Sequence, residues 1–385
     1  MRILFTFIGG LGHFDPMVPV ARASVAAGHD VAVACSGGLT ARVGAAGFQA
    51  LATSVPQPAG QRARDLTPIA PVDAHAAEIE FAENFADKGA RRHAGAIQDH
   101  IRAWRPDILV RDEADFGSAI AAEVLGVPVA TVLVLASGML IRPDLISAPL
   151  AAVRTEHGLP PDVGLSMLTR GVVLSPFPVS FRSPHSPVSL PEATFAFRGG
   201  SAETGPTLRA RTSSRRCVYV TLGTVFNSGS GDLFDRLLAG LAEVEADVVV
   251  TVGRDVDPAT FGPQPDHVRV ESFVPQADLL PLADLVVSHG GSGTLMATLA
   301  HGLPSVLLPL GADQPHNAAR AEALGLARTL DAATATPDAI RRSVDDLLQD
   351  RPALDRTRQV AHEIRSLPSV EHTLPLLEGL QAPTH

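Results

Sequence analysis

The sequence predicts an α/β protein of two domains, each built on a parallel β-sheet with helices on both faces, the two facing each other across a cleft. Three observations predict this. Short apolar runs recur along the chain and are nearly continuous in hydrophobicity, as strands covered on both faces require. Helix start and stop signals lie between them. The 385 residues are interrupted at 199–216 by GGSAETGPTLRARTSSRR, a segment without apolar period and rich in Gly, Ser, Thr and Arg, the composition of a linker.

In the first half the runs are Ile3–Ile8, Val31–Cys35, Ile108–Val110 and Val129–Leu135. In the second they are Val218–Leu222, Asp247–Val252, Val268–Val270, Leu285–Ser288 and Ser305–Leu308. Asp15-Pro16 reads as an N-cap followed by proline at the first helical position, with Gly28 as the stop. Thr336-Pro337 repeats the start signal, and Gly302 and Gly325 read as further stops. The expected organisation is an N-terminal domain over 1–198, a linker over 199–216, a C-terminal domain over 217–365, and a tail over 366–385 that packs back on the N-terminal domain. Thr53 to Ala90 carries Pro56, Pro58, Pro68 and Pro71 and reads as an irregular loop, either shaping a pocket or lying mobile on the surface.

Composition excludes several kinds of chemistry. The formal net charge of −10 speaks against a nucleic-acid partner, whose phosphates need a basic surface. No run of like charge forms a polybasic membrane anchor. Lys88 is the single lysine and is followed by Gly89-Ala90, so it belongs to no P-loop. Cys35 and Cys217 each lie in or beside an apolar run and read as buried thiols; two cysteines so far apart make neither a zinc site nor a disulfide framework. Met1 to Ile8 is too short for a signal peptide, and no uninterrupted apolar stretch of membrane-spanning length occurs. The expectation is a soluble cytoplasmic enzyme, monomeric or homodimeric.

The strongest motif is Ser288-His289-Gly290-Gly291-Ser292-Gly293-Thr294, which follows the apolar strand Leu285–Ser288 and precedes a helical stretch over Leu295–His301. Glycines let backbone N–H groups approach a ligand closely. A helix N-terminus adds unpaired N–H groups and partial positive charge. Ser292, Thr294 and His289 supply side-chain donors. Together these make a diphosphate cradle that needs no lysine; an ordinary glycine turn at a helix start is the plainer alternative.

Phe273-Val274-Pro275-Gln276 lies upstream, and Pro309-Leu310-Gly311-Ala312-Asp313-Gln314 lies downstream. The whole run from Ser272 to Asn317 resembles the donor-binding signature of family 1 glycosyltransferases, in the natural-product branch that tailors antibiotics. That resemblance implies the GT-B fold: two Rossmann-like domains with a nucleotide-sugar on the C-terminal one. It implies that Phe273, in its aromatic-x-Pro-Gln element with Val274 and Gln276, stacks the base. It implies that His289, Gly291, Ser292, Gly293 and Thr294 hold the diphosphate, and that Asp313 and Gln314 bind sugar hydroxyls. Tyr219-Val220-Thr221-Leu222-Gly223-Thr224 is similar to the family's strand and turn beside the leaving phosphate, which brings in Gly223 and Thr224. The family requires no metal ion and no resident cofactor.

One departure concerns the donor. Relatives that use uridine donors place Glu eight residues after the motif histidine, where it binds ribose hydroxyls; here that position is Ala297. A buried 2′-hydroxyl without a partner costs about 1–3 kcal/mol. A deoxyribose lacks that group, so the expected donor is a thymidine-diphosphate sugar.

In the first half, Gly9-Gly10-Leu11-Gly12-His13-Phe14-Asp15-Pro16 follows the first strand, which puts His13 at a strand's carboxyl end, just before the helix expected to be capped by Asp15. The element resembles the family's Gly-His-x-x-Pro, whose histidine deprotonates the acceptor. A histidine titrating near neutrality suits that task and typically contributes about 10²–10⁴ in rate. Such a base needs an orienting carboxylate. Arg105-Pro106-Asp107-Ile108-Leu109-Val110-Arg111-Asp112 is similar to the family's Pro-Asp-strand-Asp pattern and nominates Asp112, with Glu113 as the rival. His75, His93 and His100 read as solvated histidines.

The implied reaction is inverting transfer of a sugar to a hydroxyl of a small hydrophobic aglycone. A nucleotide-sugar epimerase of the same fold and a non-catalytic nucleotide-sugar-binding auxiliary protein are the rival readings. The epimerase would consume donor with no acceptor present, and the auxiliary protein would bind donor without cleaving it. Asp255-Val256-Asp257 has the form of a metal-binding Asp-x-Asp but reads as an exposed turn.

Overall fold

A computed structural model describes residues 1–55, 65–199, 215–223 and 229–380. They form two parallel sheets. The first has seven strands in the order β3-β2-β1-β4-β5-β6-β7. These are β1 (Arg2–Thr6), β2 (Asp30–Cys35), β3 (Gln49–Ala52), β4 (Ile108–Asp112), β5 (Val129–Val132), β6 (Val172–Ser175) and β7 (Phe195–Ala196). The second has six strands in the order β10-β9-β8-β11-β12-β13. These are β8 (Arg216–Thr221), β9 (Ala246–Thr251), β10 (Val268–Glu271), β11 (Leu285–Ser288), β12 (Ser305–Leu307) and β13 (Ala327–Thr329).

Every apolar run read as a strand from the sequence is one. In each sheet the order reverses once, between β1 and β4 in the first and between β8 and β11 in the second. The registers there are Thr6↔Arg111 and Thr221↔Ser288. Open α/β sheets bind ligands outside the carboxyl ends of the strands at such a reversal.

The described residues divide into two units: 1–55, 75–199 and 367–380 in one, and 65–74, 215–223 and 229–366 in the other. In the first, Leu377 is buried with Ile3, Phe5, Phe14 and Met17, and His29 Nε2 lies 3.1 Å from Glu378 Oε1. In the second, Val218, Val220, Leu237, Val250 and Ile340 share a core against which Ile69 packs. The expected linker lies almost wholly outside the described residues.

Several local expectations are corrected. The first helix does not begin at Asp15. Leu11–Phe14 is already α-helical with Gly10 at the N-cap, a 3-10 turn spans Asp15–Met17, and the α-helix resumes over Val18–Ala26. Pro16 lacks the N–H for an α-type bond, so the path tightens there without stopping. Gly28 does end it, with φ +84°.

Within the stretch expected to be irregular, Ala74–Phe81 is α-helical and Ala82–Gly89 is a π-helix, which runs on into the α-helix Ala90–Trp104. The prolines end at Pro71, and the Ala- and Glu-rich sequence beyond them favours a helix. A Cβ on Gly89 would come within 2.5 Å of Asn84 O and 2.7 Å of Ile8 Cδ1, so the wide turn closes only around a glycine. Cys35 is buried, and burial pushes its thiol up to about 11. Cys217 is only half buried, at the exposed start of β8. Among the described residues no helix is long and apolar enough to cross a membrane.

Candidate active site

In the first unit the chain leaves β1 at the sheet reversal and turns into the helix that carries His13. Asp112 ends the neighbouring strand β4. Its carboxylate is fully buried and accepts the Ile8 N–H at Oδ2 (2.9 Å) and the Ala114 N–H at Oδ1 (2.6 Å). His13 Nδ1 is buried and lies 3.5 Å from Asp112 Oδ1, and the imidazole as a whole keeps 17% of its surface exposed. A carboxylate there favours the tautomer with hydrogen on Nδ1, which makes Nε2 the basic nitrogen. Gly9 makes this approach possible. It has φ +94°, and a Cβ there would sit 3.0 Å from His13 Cδ2.

The acidic neighbours have other duties. Glu113 Oε1 accepts the N–H groups of Val134 and Leu135, both at 2.6 Å, and burial pushes its carboxyl up. Asp115 caps the helix Phe116–Leu125 and holds His93 Nδ1 at 2.8 Å. His93 is therefore not solvated but buried. Burial alone would lower its imidazole, but the Asp115 carboxylate outweighs that and holds it above the ordinary value. Arg111, also fully buried, donates to the carbonyls of Asp112, Glu113, Met167 and Leu168.

In the second unit the loops after β8, β10, β11 and β12 leave the carboxyl edge of one sheet. His289 follows β11 and is buried; burial pushes its imidazole down to about 4, the Thr221 backbone offsetting part of this. It is neutral at pH 7 and offers a hydrogen-bond donor rather than a charge. Gly291 is the N-cap of the helix Ser292–Ala300 and provides no side-chain cap, so Ser292, Gly293 and Thr294 form the first turn and their N–H groups have no intrahelical acceptor. This helix starts three residues before the stretch expected from the sequence. A Cβ on Gly293 would meet nothing within 4 Å, so the space over the helix start is open. The residues fit a diphosphate there: orphan N–H donors, the positive end of a helix dipole and neighbouring hydroxyls.

The turn is braced from two sides. Gln276 Nε2 donates to Thr294 Oγ1 at 3.1 Å, which ties the loop after β10 to the helix start. Asp313 Oδ2 accepts from Ser292 Oγ at 2.6 Å and from Asn317 Nδ2 at 2.7 Å. Asn317 Nδ2 also lies 3.1 Å from Gly290 O and from Ser292 Oγ. Phe273 presents its ring, 40% exposed, with the Arg254 guanidinium 3.5 Å above its centroid. Val274 packs inward against the cluster of Tyr219, Leu279, Val286 and Ala297. Gln314 is buried, its Oε1 taken by the Leu310 N–H at 2.7 Å. Asp313, half buried, follows the strained turn at Ala312 (φ +53°). Thr224 lies outside the described residues.

Residues 235–380 match the family described as Erythromycin biosynthesis protein CIII-like, C-terminal domain. The chain is 30% identical to L-demethylnoviosyl transferase of Streptomyces niveus, over 99% of this chain and 98% of that one. It is 25% identical to erythronolide mycarosyltransferase of Saccharopolyspora erythraea, over 99% of both chains. Among solved structures, the glycosyltransferase SnogD from Streptomyces nogalater superposes with a TM-score of 0.75 at 26% identity over 99% of both chains.

The chain belongs to the antibiotic-tailoring glycosyltransferases of the GT-B fold. In this glycosyltransferase the residues nominated from the sequence lie at both sheet reversals, Gln276 and Asp313 among those that brace the helix start, whereas Asn317, Phe85 and Arg254 were not nominated. Asn317 was findable, because it stands one helical turn after Asp313 and so shares its face. Phe85, whose ring lies 5.4 Å from that of His13, was not, because it comes from the stretch taken for a loop. Arg254 carries no local signal; only the path of the loop after β9 brings it to Phe273. Asp255 and Asp257 are exposed, and Asp257 caps the turn Pro258–Phe261.

Proposed function

We propose that this glycosyltransferase transfers a sugar, with inversion, from a thymidine-diphosphate donor to a hydroxyl of a small hydrophobic natural-product acceptor. One observation carries the reading: the 3.5 Å approach of His13 Nδ1 to the buried Asp112 carboxylate, at the point where the first sheet reverses. His13 Nε2 takes the acceptor proton while the hydroxyl oxygen forms a bond to the anomeric carbon. The bond from that carbon to the diphosphate oxygen breaks on the opposite face, which inverts the configuration. Asp112 holds the ring and stabilises the imidazolium.

In the second unit, Phe273, Val274 and Gln276 receive the base. His289, Gly291, Ser292, Gly293, Thr294, Gly223 and Thr224 meet the diphosphate. Asp313 and Gln314 face the sugar. The charge that develops on the leaving diphosphate falls on backbone N–H groups and a helix dipole, the arrangement that makes transfer independent of a metal ion. The domains run over 1–198 and 217–365, except that 65–74 fall in the second unit and 367–380 in the first. The relatives support the substrate class, since erythronolide mycarosyltransferase is named for a sugar and the acceptor that receives it.

A matrix of nucleotide-sugars against aglycones, read by mass spectrometry, with the product's anomeric configuration read by NMR, tests this reading. The expected result is product only with acceptor present, of configuration opposite to the donor's, at a rate unchanged by EDTA. Matched thymidine and uridine donors of one sugar should favour thymidine, given Ala297. Retention of configuration, or donor consumption without acceptor, would overturn it.

A further inference from the structure

Three rings form a ladder in the first unit. His13 stacks on Phe85 with centroids 5.4 Å apart and planes 21° apart. Phe85 stacks on Phe81 at 4.6 Å and 15°. Phe116 closes the far end edge-on, 6.1 Å from Phe81, and it opens the helix that follows β4 and Asp112. The ladder is thus fixed at both ends to the elements that carry His13 and Asp112.

The π-helix delivers Phe85. In an α-helix, residues four apart are offset around the axis; a wider turn brings Phe81 and Phe85 into register, one ring over the next. Single π-turns inside α-helices recur at functional sites. This one closes around Gly89 against Ile8, the residue whose N–H holds Asp112. Gly9 leaves the room, since a Cβ there would lie 3.0 Å from His13 Cδ2 and 3.5 Å from Phe85 Cε1. The charged residues of the turn pair with one another or with the next helix: Lys88 with Glu83 at 3.7 Å, Asp87 with Arg91 at 2.7 Å. Among these charges, Asp112 lies 3.5 Å from His13 Nδ1.

We propose that Phe85 is a positioning residue for the base: its ring, carried by the π-helical turn Ala82–Gly89, fixes the plane of the His13 imidazole and stabilises the imidazolium created when the acceptor proton arrives. An aromatic face attracts a cation within about 6 Å of its centroid. It prefers the protonated ring to the neutral one, so it acts more on the transition state than on the resting enzyme. This inference rests on His13 being the base.

The test uses the whole chain. Phe85→Leu and Phe85→Met remove the π face, Met filling nearly the same volume, and Phe85→Tyr keeps it. The His13 Cε1–H resonance, assigned by its loss in His13→Ala, is titrated by NMR without substrates, and kcat and donor KM are measured in parallel. Without the π face the His13 titration midpoint should fall by about 0.5–1 pH unit, and kcat about three- to tenfold, with donor KM unchanged. Phe85→Tyr should restore both. An unmoved midpoint in folded Phe85→Met, or a Tyr variant as slow as Leu, overturns the proposal. Turnover surviving in His13→Ala would instead overturn the base assignment, and the midpoint would still report whether Phe85 holds the ring.

Discussion

A Cβ on Gly223 would lie 2.6 Å from His289 Cε1 and 2.7 Å from its Nε2. One on Gly291 would lie 2.6 Å from the same Nε2. The imidazole therefore occupies a slot between glycines that follow two adjacent strands, β8 and β11. Gly223 also has φ +77°, where an L side chain costs about 1–2 kcal/mol. Gly223→Ala should weaken nucleotide binding about tenfold or more by titration calorimetry. Gly291→Ala, whose backbone is not left-handed (φ −62°), should weaken it by displacing the ring alone. Unchanged affinity in both would show that His289 does not contact the donor.

His289 also makes a prediction about stability and pH. Its folded-state value, near 4, lies below the ordinary value of 6.5. Between the two, the unfolded chain binds the extra proton, so folding free energy falls as pH drops from about 6.5 to 4. Above that window the contribution is fully present. The expected loss is about 3 kcal/mol. Urea unfolding of wild type and His289→Asn, measured at pH 7 and pH 4.5, should show a steeper acid loss in wild type; parallel losses would contradict this.

Asn317 is buried between Gly290 O, Ser292 Oγ and Asp313 Oδ2. Asn317→Ala should destabilise the fold by about 1–3 kcal/mol, because it strips a buried carbonyl and carboxylate of a donor. It should also raise donor KM several-fold by loosening Asp313. A loss of stability with donor KM unchanged would limit Asn317 to a structural role.

Asp112→Asn replaces an acceptor of two backbone N–H groups with a group that can accept at only one atom. Turnover should fall about 10²–10⁴-fold, with nucleotide affinity unchanged, since the residues proposed to hold the donor lie in the other unit. Wild-type turnover would remove Asp112 as the orienting group.

The sequence exposed most of this architecture because its strands are covered on both faces and leave near-continuous apolar runs. Four strands went unread: β3 is half exposed, β7 and β13 are two and three residues long, and β6 was passed over although its run VVLS is apolar and buried. The site was legible where chemistry and punctuation coincide, at His13 with Gly9 and at His289 with Gly291. Pro16 misled the reading of the first helix, because proline marks a helix start more often than a 3-10 joint inside one. His93 misled it in another way: a histidine on a polar helix gives no sign that its Nδ1 meets a buried aspartate from another element. Phe85 needed the π-turn, and a one-residue widening of a helix leaves no trace in apolar periodicity.

The base assignment is tested most directly by His13→Ala, assayed for transfer and, in the same preparation, for nucleotide binding by calorimetry. Turnover should fall by at least about 100-fold while nucleotide affinity stays within twofold of wild type. Transfer at the wild-type rate would contradict the assignment of His13 as the group that receives the acceptor's proton.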